Sequence, residues 1–216
     1  MALTADLFFS FRSPYSYLAI GRYRELAEEY AIDIALRPVY PLAIRQPDFF
    51  ERNHPNWLRY TFLDMFRVAE FEGIPFGPPR PDPIVQDVAT RKIAADQPYI
   101  RRVTRLGQAA ARRGNGLAFA AETARLIWGG ADNWHEGDHL AGAANRAGLE
   151  LAELDAEAER DAEALDAEIG ANQQALENAG HWGVPTLVFD GEPFFGQDRI
   201  AMAKWRMEQK GLQPRQ

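Results

Sequence analysis

The passage from a short apolar run into a helix, close to the start of the chain, constrains the fold more than any other feature. Residues 6–11 are apolar enough to form a buried strand. Pro14 follows at a favoured position, because the first turn of a helix does not use the N–H that proline lacks. Apolar residues then recur with helical spacing from Tyr15 to Tyr30. The pattern predicts a strand followed by a helix with one apolar face.

A second strand is predicted after this helix. Ile32, Ile34 and Leu36 alternate with polar or small residues, and the run ends at Arg37-Pro38. A strand–helix–strand unit of this kind favours two parallel strands joined by a right-handed crossover.

The middle of the chain is predicted to be helical. An apolar stripe from Leu58 to Ala69 ends at Gly73, and a proline-rich loop follows it. Helical spacing then recurs over 98–113, 117–128, 136–147 and 161–179. The acidic run from Glu150 to Glu168 is expected to be a solvated helical face.

The end of the chain returns to strands. Residues 184–189 form an apolar run, and Asp190-Gly191 is a signal for a hairpin turn. A second short run over 193–195 opens with a proline, which an edge strand tolerates. A last helix is expected to open at Gln197-Asp198-Arg199.

This order of elements predicts an α/β thioredoxin-like fold that is interrupted by a large all-helical insertion. Residues 1–44 and 161–216 are assigned to the discontinuous thioredoxin-like domain, and residues 45–160 to the insertion. The length of 216 residues fits such an arrangement.

Composition narrows the range of partners and locations. The net charge of −7 argues against nucleic acid as a partner. No apolar stretch is long enough for a membrane span, so no membrane partner is expected. The first residues lack the basic leader of a signal peptide, and a cytoplasmic location is therefore expected.

Serine occupies both outer positions of Ser13-Pro14-Tyr15-Ser16, at the junction between the first strand and the first helix. Thioredoxin-like redox proteins carry Cys-x-x-Cys at this junction, whereas this chain contains no cysteine. Disulfide exchange with the protein's own sulfur is therefore excluded. If this is a catalytic site, the reactive sulfur belongs to a bound molecule, and a serine hydroxyl interacts with that sulfur. The alternatives are that Ser13 only caps the helix and that Ser16 is a locally bonded helix hydroxyl.

Two motifs together resemble a known family. The first is Phe11-Arg12-Ser13-Pro14-Tyr15-Ser16-Tyr17-Leu18-Ala19, and the second is Trp182-Gly183-Val184-Pro185-Thr186 followed by Phe195-Gly196-Gln197-Asp198-Arg199. They are similar to the motifs of 2-hydroxychromene-2-carboxylate isomerases, and kappa-class glutathione transferases share the first. The likeness extends over essentially the whole chain and implies the DsbA-like form of the thioredoxin fold.

The resemblance implies a role for each matching residue. Ser13 would be the catalytic serine, which hydrogen-bonds the sulfur of bound glutathione. Val184 and Pro185 would form the loop with a cis proline that receives the cysteinyl part of glutathione. Gln197 and Asp198 would hold the γ-glutamyl end. The implied cofactor is therefore glutathione.

The chain departs from the family pattern in the segment after the second strand. The family uses a lysine there, with an asparagine a few residues ahead of it, but no lysine precedes Lys92. Asn53 lies in about the right region and is kept as a candidate glutathione-binding residue. Arg45, Arg52 or Arg59 could replace the lysine. The proline-rich loop and the aromatic segment 57–71 are candidates for the pocket of the second substrate.

The family chemistry implies an isomerase that acts on an aromatic, pyruvate-like small molecule by glutathione thiolate addition, rotation and elimination. It also implies a homodimer, whose interface the apolar helices of the insertion could supply. Two alternatives stay open: a kappa-like glutathione transferase or peroxidase, and a thioredoxin-like binding module without catalysis.

Three histidines and one tryptophan have competing interpretations. His135-Glu136-Gly137-Asp138-His139 matches the letters of a zinc-hydrolase motif. Gly137 weakens the helix that such a motif needs, and no metal site is predicted. His181 could line a pocket or only pack, and Trp182 is predicted to be a core residue, with a platform for a ligand as the alternative.

Overall fold

The computed structural model describes residues 2–87 and 92–215, and its centre is a four-stranded mixed sheet. The strands are β1 (Leu3–Phe9), β2 (Ile32–Pro38), β3 (Thr186–Phe189) and β4 (Glu192–Phe195), and their order across the sheet is β2-β1-β3-β4. β1 and β2 run parallel, β3 is antiparallel to β1, and β4 is antiparallel to β3. The predicted strand–helix–strand unit with parallel strands is therefore confirmed.

Helices surround this sheet. They are α1 (Pro14–Glu29), α2 (Leu42–Arg45), α3 (Phe49–Arg52), α4 (Pro55–Glu72), α5 (Pro98–Arg112), α6 (Gly116–Trp128), α7 (His139–Arg146), α8 (Leu151–Arg160), α9 (Ala162–Asn178) and α10 (Ile200–Gln209). The sequence pattern predicts all of them except α2 and α3, and it places α8 within the helical acidic run without giving its bounds. In the part of the chain that the structure describes, none of these helices is long and apolar enough to cross a membrane.

The helices between β2 and β3 share one hydrophobic core with the sheet. Phe11, directly after β1, is fully buried, and its ring meets those of Phe9 and Phe119 edge to face, with centroids 5.2 and 6.2 Å away. Gly107 of α5 lies so close to Phe11 that a Cβ there would come within 2.6 Å of its ring. The α/β fold with a helical insertion is confirmed, and the exact domain limits stay a prediction because packing is continuous across them.

The β3–β4 hairpin follows from its local sequence. Asp190 and Gly191 have φ angles of 51° and 79°, which is the backbone that a two-residue hairpin turn needs. Pro193 lies in β4 at the edge of the sheet, where its missing N–H removes no hydrogen bond between interior strands.

The acidic run from Glu150 to Glu168 forms the predicted solvated face only in part, because Glu150, Glu153, Glu159 and Glu163 are exposed but other acids of the run are paired. Glu157 of α8 is only 7% exposed and accepts hydrogen bonds from Arg112 and Arg113. Asp166 of α9 likewise forms a two-bond pair with an arginine of α5. These carboxylates hold α8 and α9 against α5, and the prediction misses them because their arginine partners lie far away in the sequence.

Candidate active site

Ser13 lies at the N-terminus of α1, against the loop that precedes β3. Its φ and ψ of −90° and 117° are those of a helix N-cap, and its Oγ accepts the Ser16 N–H at 3.2 Å. The same hydroxyl donates to the carbonyl oxygen of Val184 at 3.3 Å, across 171 positions of sequence. Ser13 is therefore a helix cap and a contact to the second motif at once. Ser16 makes no such contact, since its Oγ is buried without a partner among the described residues.

The loop against Ser13 contains a cis peptide bond, Val184–Pro185, which is the isomer that the resemblance implies. The Pro185 carbonyl accepts the Gly196 N–H at 2.9 Å, and the Thr186 hydroxyl donates to the Gly183 carbonyl at 2.7 Å. A Cβ at Gly183 would lie 2.6 Å from the ring of Phe195, so a side chain there would require that ring to move. The loop is thus tied to β4 on both sides of the proline.

Beside this loop lies a cavity of about 190 Å³, which we name the loop cavity. It is lined by Tyr15, Asp64, Val184, Pro185, Phe195, Gly196, Gln197 and Asp198. The structure therefore brings together four of the predicted binding residues, and Ser13 touches the carbonyl of one of them. A larger cavity of about 440 Å³ lies between α2 and the segment 92–97, and none of the predicted site residues is among its lining residues.

Tyr15 and Asp64 are members of the loop cavity that the sequence reasoning missed. The Tyr15 hydroxyl donates to Asp64 at 2.7 Å. Burial raises the pKa of Tyr15, and the hydrogen bond to Asp64 raises it further, so Tyr15 stays protonated. Asp64 is the one acid in the middle of the aromatic stripe of α4, which is the signal that could have drawn attention to it.

The two predicted γ-glutamyl ligands have different partners. Arg22 of α1 donates to both the backbone and the side-chain oxygen of Gln197, at 2.9 and 2.7 Å. Asp198 is exposed and accepts from Arg199 at 2.6 Å. The structure gives neither residue the role of a helix cap, because α10 begins at Ile200 with no side-chain hydrogen bond at its N-cap.

Asn53 lies apart from the loop cavity. It follows α3, and its Nδ2 donates to the Phe49 carbonyl at 2.6 Å. The lining residues described above do not include it. Its role in glutathione binding stays a prediction.

One of the three candidate arginines reaches the second motif. Arg45 donates to the Trp182 carbonyl at 2.9 Å and to the Tyr40 carbonyl at 2.6 Å. Its Nη1 is buried and has no hydrogen bond among the described residues. Burial lowers the pKa of Arg45, as expected for a desolvated cation. Arg52 instead pairs with Asp48 at the surface, and Arg59 is exposed.

Aromatic rings cluster next to the loop, and we name Phe49, Trp57, His181, Trp182 and Phe195 the aromatic wall. His181 stacks on Phe195 and Trp182, with centroids 4.0 and 5.3 Å away, and Phe49 lies 5.1 Å from Trp182 and 5.7 Å from Trp57. Trp182 is 42% exposed, so its predicted core position is wrong.

His181 is neutral in this arrangement. Its Nδ1 accepts the Gly183 N–H at 2.9 Å, which requires an unprotonated nitrogen. Burial also lowers the pKa of His181. The neutral ring keeps the aromatic wall uncharged next to the Val184–Pro185 loop.

The histidines of the zinc-like motif do not share a helix face. His135 lies in the turns before α7, and His139 is the first residue of that helix. His135 packs against the rings of Tyr99 and Trp134 instead. The structural requirement of the H-E-x-x-H motif is therefore not met.

Known structures share this architecture at low sequence identity. A 2-hydroxychromene-2-carboxylate isomerase superposes with a TM-score of 0.70 at 22% identity, covering 96% of this chain and 95% of that one. The cytosolic disulfide reductase DsbM from Pseudomonas aeruginosa gives 0.64 at 20%, covering 96% and 100%. A structure of the same reductase with GSH gives 0.59 at 18%, covering 95% and 100%.

These identities show the fold alone. No curated protein sequence matches the chain significantly. A sequence family does match it: the model of the DSBA-like thioredoxin domain aligns with residues 4–208, from β1 to α10. The chain therefore belongs to the DSBA-like thioredoxin domain family.

Proposed function

We propose that the protein is a glutathione-dependent isomerase of the 2-hydroxychromene-2-carboxylate isomerase type, acting on an aromatic, pyruvate-like substrate. The observation that carries the proposal is the contact between Ser13 and the carbonyl of Val184, next to the cis bond to Pro185, in a chain without cysteine. A hydroxyl stands where this family's redox members carry a thiol, so the site suits an external sulfur.

The residues present fit a bound tripeptide thiol. The Val184 backbone lines the loop cavity and can meet the cysteinyl unit there, and the cavity can receive one end of the peptide. Bound glutathione supplies a thiolate that adds to a conjugated carbon, permits rotation about the former double bond and leaves again, without net oxidation. A free thiol has a pKa near 8.5, so the protein must favour the thiolate.

Ser13 and the start of α1 would provide that preference. The bond from Ser13 to Val184 is long for a hydroxyl donor, so the hydroxyl can turn its hydrogen to a sulfur placed beside it. The dipole at the N-terminus of α1 favours an anion at the same place. The role of Ser13 is to hold the thiolate and not to form a covalent bond.

The aromatic wall supports an aromatic second substrate. Trp182 and Phe195 present exposed ring surface next to the loop, and His181 is uncharged. Stacking of a flat ring on such a surface contributes about 0.5–1.5 kcal/mol beyond area burial.

Arg45 is our candidate for the missing lysine. It is the member of the three candidate arginines that contacts the second motif, and its charge is desolvated there. A desolvated guanidinium gains from pairing with a carboxylate, here the glycyl carboxylate of glutathione. We place the reaction in the cytoplasm, where glutathione is the main thiol.

Calorimetric titration with glutathione between about pH 6 and 9 tests the proposal. Wild type should bind with release of a proton near neutral pH, and Ser13→Ala should lose that release and lower isomerase turnover by about 10- to 100-fold, the range for a charge-assisted hydrogen bond. Ser16→Ala is the matched control, since its buried hydroxyl has no partner among the described residues, and it should behave as wild type.

The same preparations separate the alternatives. Isomerisation of 2-hydroxychromene-2-carboxylate is followed by absorbance, and conjugation of 1-chloro-2,4-dinitrobenzene is followed in parallel. Binding with conjugation but no isomerisation would indicate a transferase. Absence of glutathione binding would overturn the enzyme proposal and favour a binding module.

A further inference from the structure

Gln197 is held from behind by an arginine that the proposed mechanism does not use. Arg22 lies on α1, and its Nη2 donates to the Gln197 backbone oxygen at 2.9 Å and to its Oε1 at 2.7 Å. A longer contact of 3.4 Å runs from the same Nη2 to the Leu18 carbonyl. Both hydrogens of this nitrogen are therefore directed mainly at Gln197.

This contact fixes which way the Gln197 amide faces. A guanidinium has only donors, so the amide atom that it meets at 2.7 Å must be the oxygen. The NH₂ group then points away from Arg22, and Gln197 lines the loop cavity. No described residue accepts a hydrogen bond from Nε2, and we infer that its two N–H donors serve the cavity that Gln197 lines.

The other lining residues show why the N–H donors of Gln197 matter for binding a carboxylate. The charged side chains among its lining residues are those of Asp64 and Asp198, and both are acids. A ligand carboxylate would be repelled there unless a donor received it. If the amide turned over, Gln197 would present its oxygen and the lining would hold a third acceptor.

Arg22 is itself anchored to a second helix. Its Nη1 pairs with Glu72 at the end of α4 at 3.1 Å. Its Nε is buried with no partner among the described residues, an arrangement that costs stability. A residue whose burial lowers stability is not explained by a role in stabilising the fold. A role in orienting Gln197 explains the position of Arg22 better.

We propose that Arg22 is a positioning residue that locks Gln197 as a double N–H donor and so makes the loop cavity select the α-carboxylate of an amino-acid head group. The inference rests on the proposed function, in which that head group is the γ-glutamyl end of glutathione. Arg22 touches neither the peptide nor the reacting atoms.

A pair of thiol peptides tests the selection. Calorimetry compares glutathione with 4-aminobutyryl-cysteinylglycine, which keeps the amine and lacks only the α-carboxylate. Wild type should bind glutathione about tenfold more tightly or better, the value of a hydrogen bond to a charged group. Arg22→Met should bring the ratio of the two dissociation constants close to one. Glu72→Gln, which removes only the other partner of Arg22, should keep the wild-type ratio.

Each outcome decides between defined possibilities. Loss of affinity for both peptides by the same factor in Arg22→Met would mean a general structural role and overturn the inference alone. Failure of wild type to bind glutathione would overturn the proposed function and the inference together. Gln197→Ala, which keeps Arg22, covers the case in which Arg22→Met does not fold: it must also bring the ratio close to one, and a retained ratio overturns the inference.

Discussion

Single side chains at this site serve two purposes, and Ser13 shows this most clearly. Its hydroxyl accepts an N–H of its own helix and donates to a carbonyl from the other end of the chain. The first contact could be predicted from the preference of serine for helix N-caps. The second depends on a tertiary approach that only the pair of motifs indicated.

The assignment of Arg45 leads to a prediction about the glycyl carboxylate. Arg45→Gln should weaken glutathione binding by about tenfold, because a charge-assisted pair is lost. It should have little effect on glutathione with an amidated glycine, which has no carboxylate to pair with. Calorimetry on both peptides provides the measurement, and Arg52→Gln is the control because its pair with Asp48 is at the surface. Equal weakening of both peptides would assign Arg45 to holding Trp182 instead.

The neutral state of His181 leads to a pH prediction. Its pKa in the folded protein lies below the ordinary value near 6.5. The unfolded chain therefore binds more protons just below pH 6.5, and the stability from neutral His181 is full above that pH and falls as the pH is lowered through the window beneath it.

His181→Asn tests this effect, because an asparagine oxygen can still accept the Gly183 N–H two residues on and cannot be protonated. The loss of melting temperature between pH 7.5 and 5.5 should be smaller in His181→Asn than in wild type. His139→Asn, at an exposed position, should keep the wild-type dependence. An unchanged loss in His181→Asn would contradict the prediction.

Among the helices and strands, the sequence indicated those elements whose signals are local. Pro14 marks the start of α1, and Asp190-Gly191 marks the β3–β4 turn. The failures share a different cause. The α8 segment lies within a run of acids whose arginine partners are on α5, and spacing along one helix carries no information about a partner on another. Arg22 escaped notice for the same reason, since Gln197 lies 175 positions away.

The packing of α8 on α5 gives a stability prediction. Burial by itself raises the pKa of Glu157, but hydrogen bonds from Arg112 and Arg113 bring it below its usual range. Glu157→Gln should lower the free energy of unfolding by about 1–2 kcal/mol at pH 7, because two arginines lose a buried partner. Urea unfolding measures the change.

Glu168→Gln is the matched control for that change. Glu168 pairs with the same Arg112 but is more exposed, so its loss should cost under about 0.5 kcal/mol. The difference between the two variants should shrink as the pH falls below the usual carboxyl pKa, since protonation then removes the Glu157 pairs in wild type as well. Equal effects of both substitutions at pH 7 would contradict the assignment.

At the scale of the whole molecule, the described residues expose a large apolar surface on α4, beside the site. α4 exposes Tyr60, Leu63, Phe66 and Phe71 on one side, and Phe71 is 88% exposed. Trp57 and Phe62 of the same helix are also exposed, so α4 presents six large apolar side chains to a partner. The same helix contributes Asp64 to the loop cavity, so a cover over α4 would also adjoin the site.

We propose that the cover is a second copy of this chain, as the family resemblance implies. A symmetric dimer places the same face on both subunits, and α4 would meet its counterpart. Leu63→Glu, which puts a charge into the centre of that face, should convert the dimer to a monomer in sedimentation velocity. Met202→Glu on α10, which is equally exposed, should stay dimeric. A wild-type monomer would contradict the proposal outright, and a monomer formed by Met202→Glu but not by Leu63→Glu would move the interface to α10. Because α4 adjoins the loop cavity, the Leu63→Glu monomer should also bind glutathione more weakly than the Met202→Glu dimer.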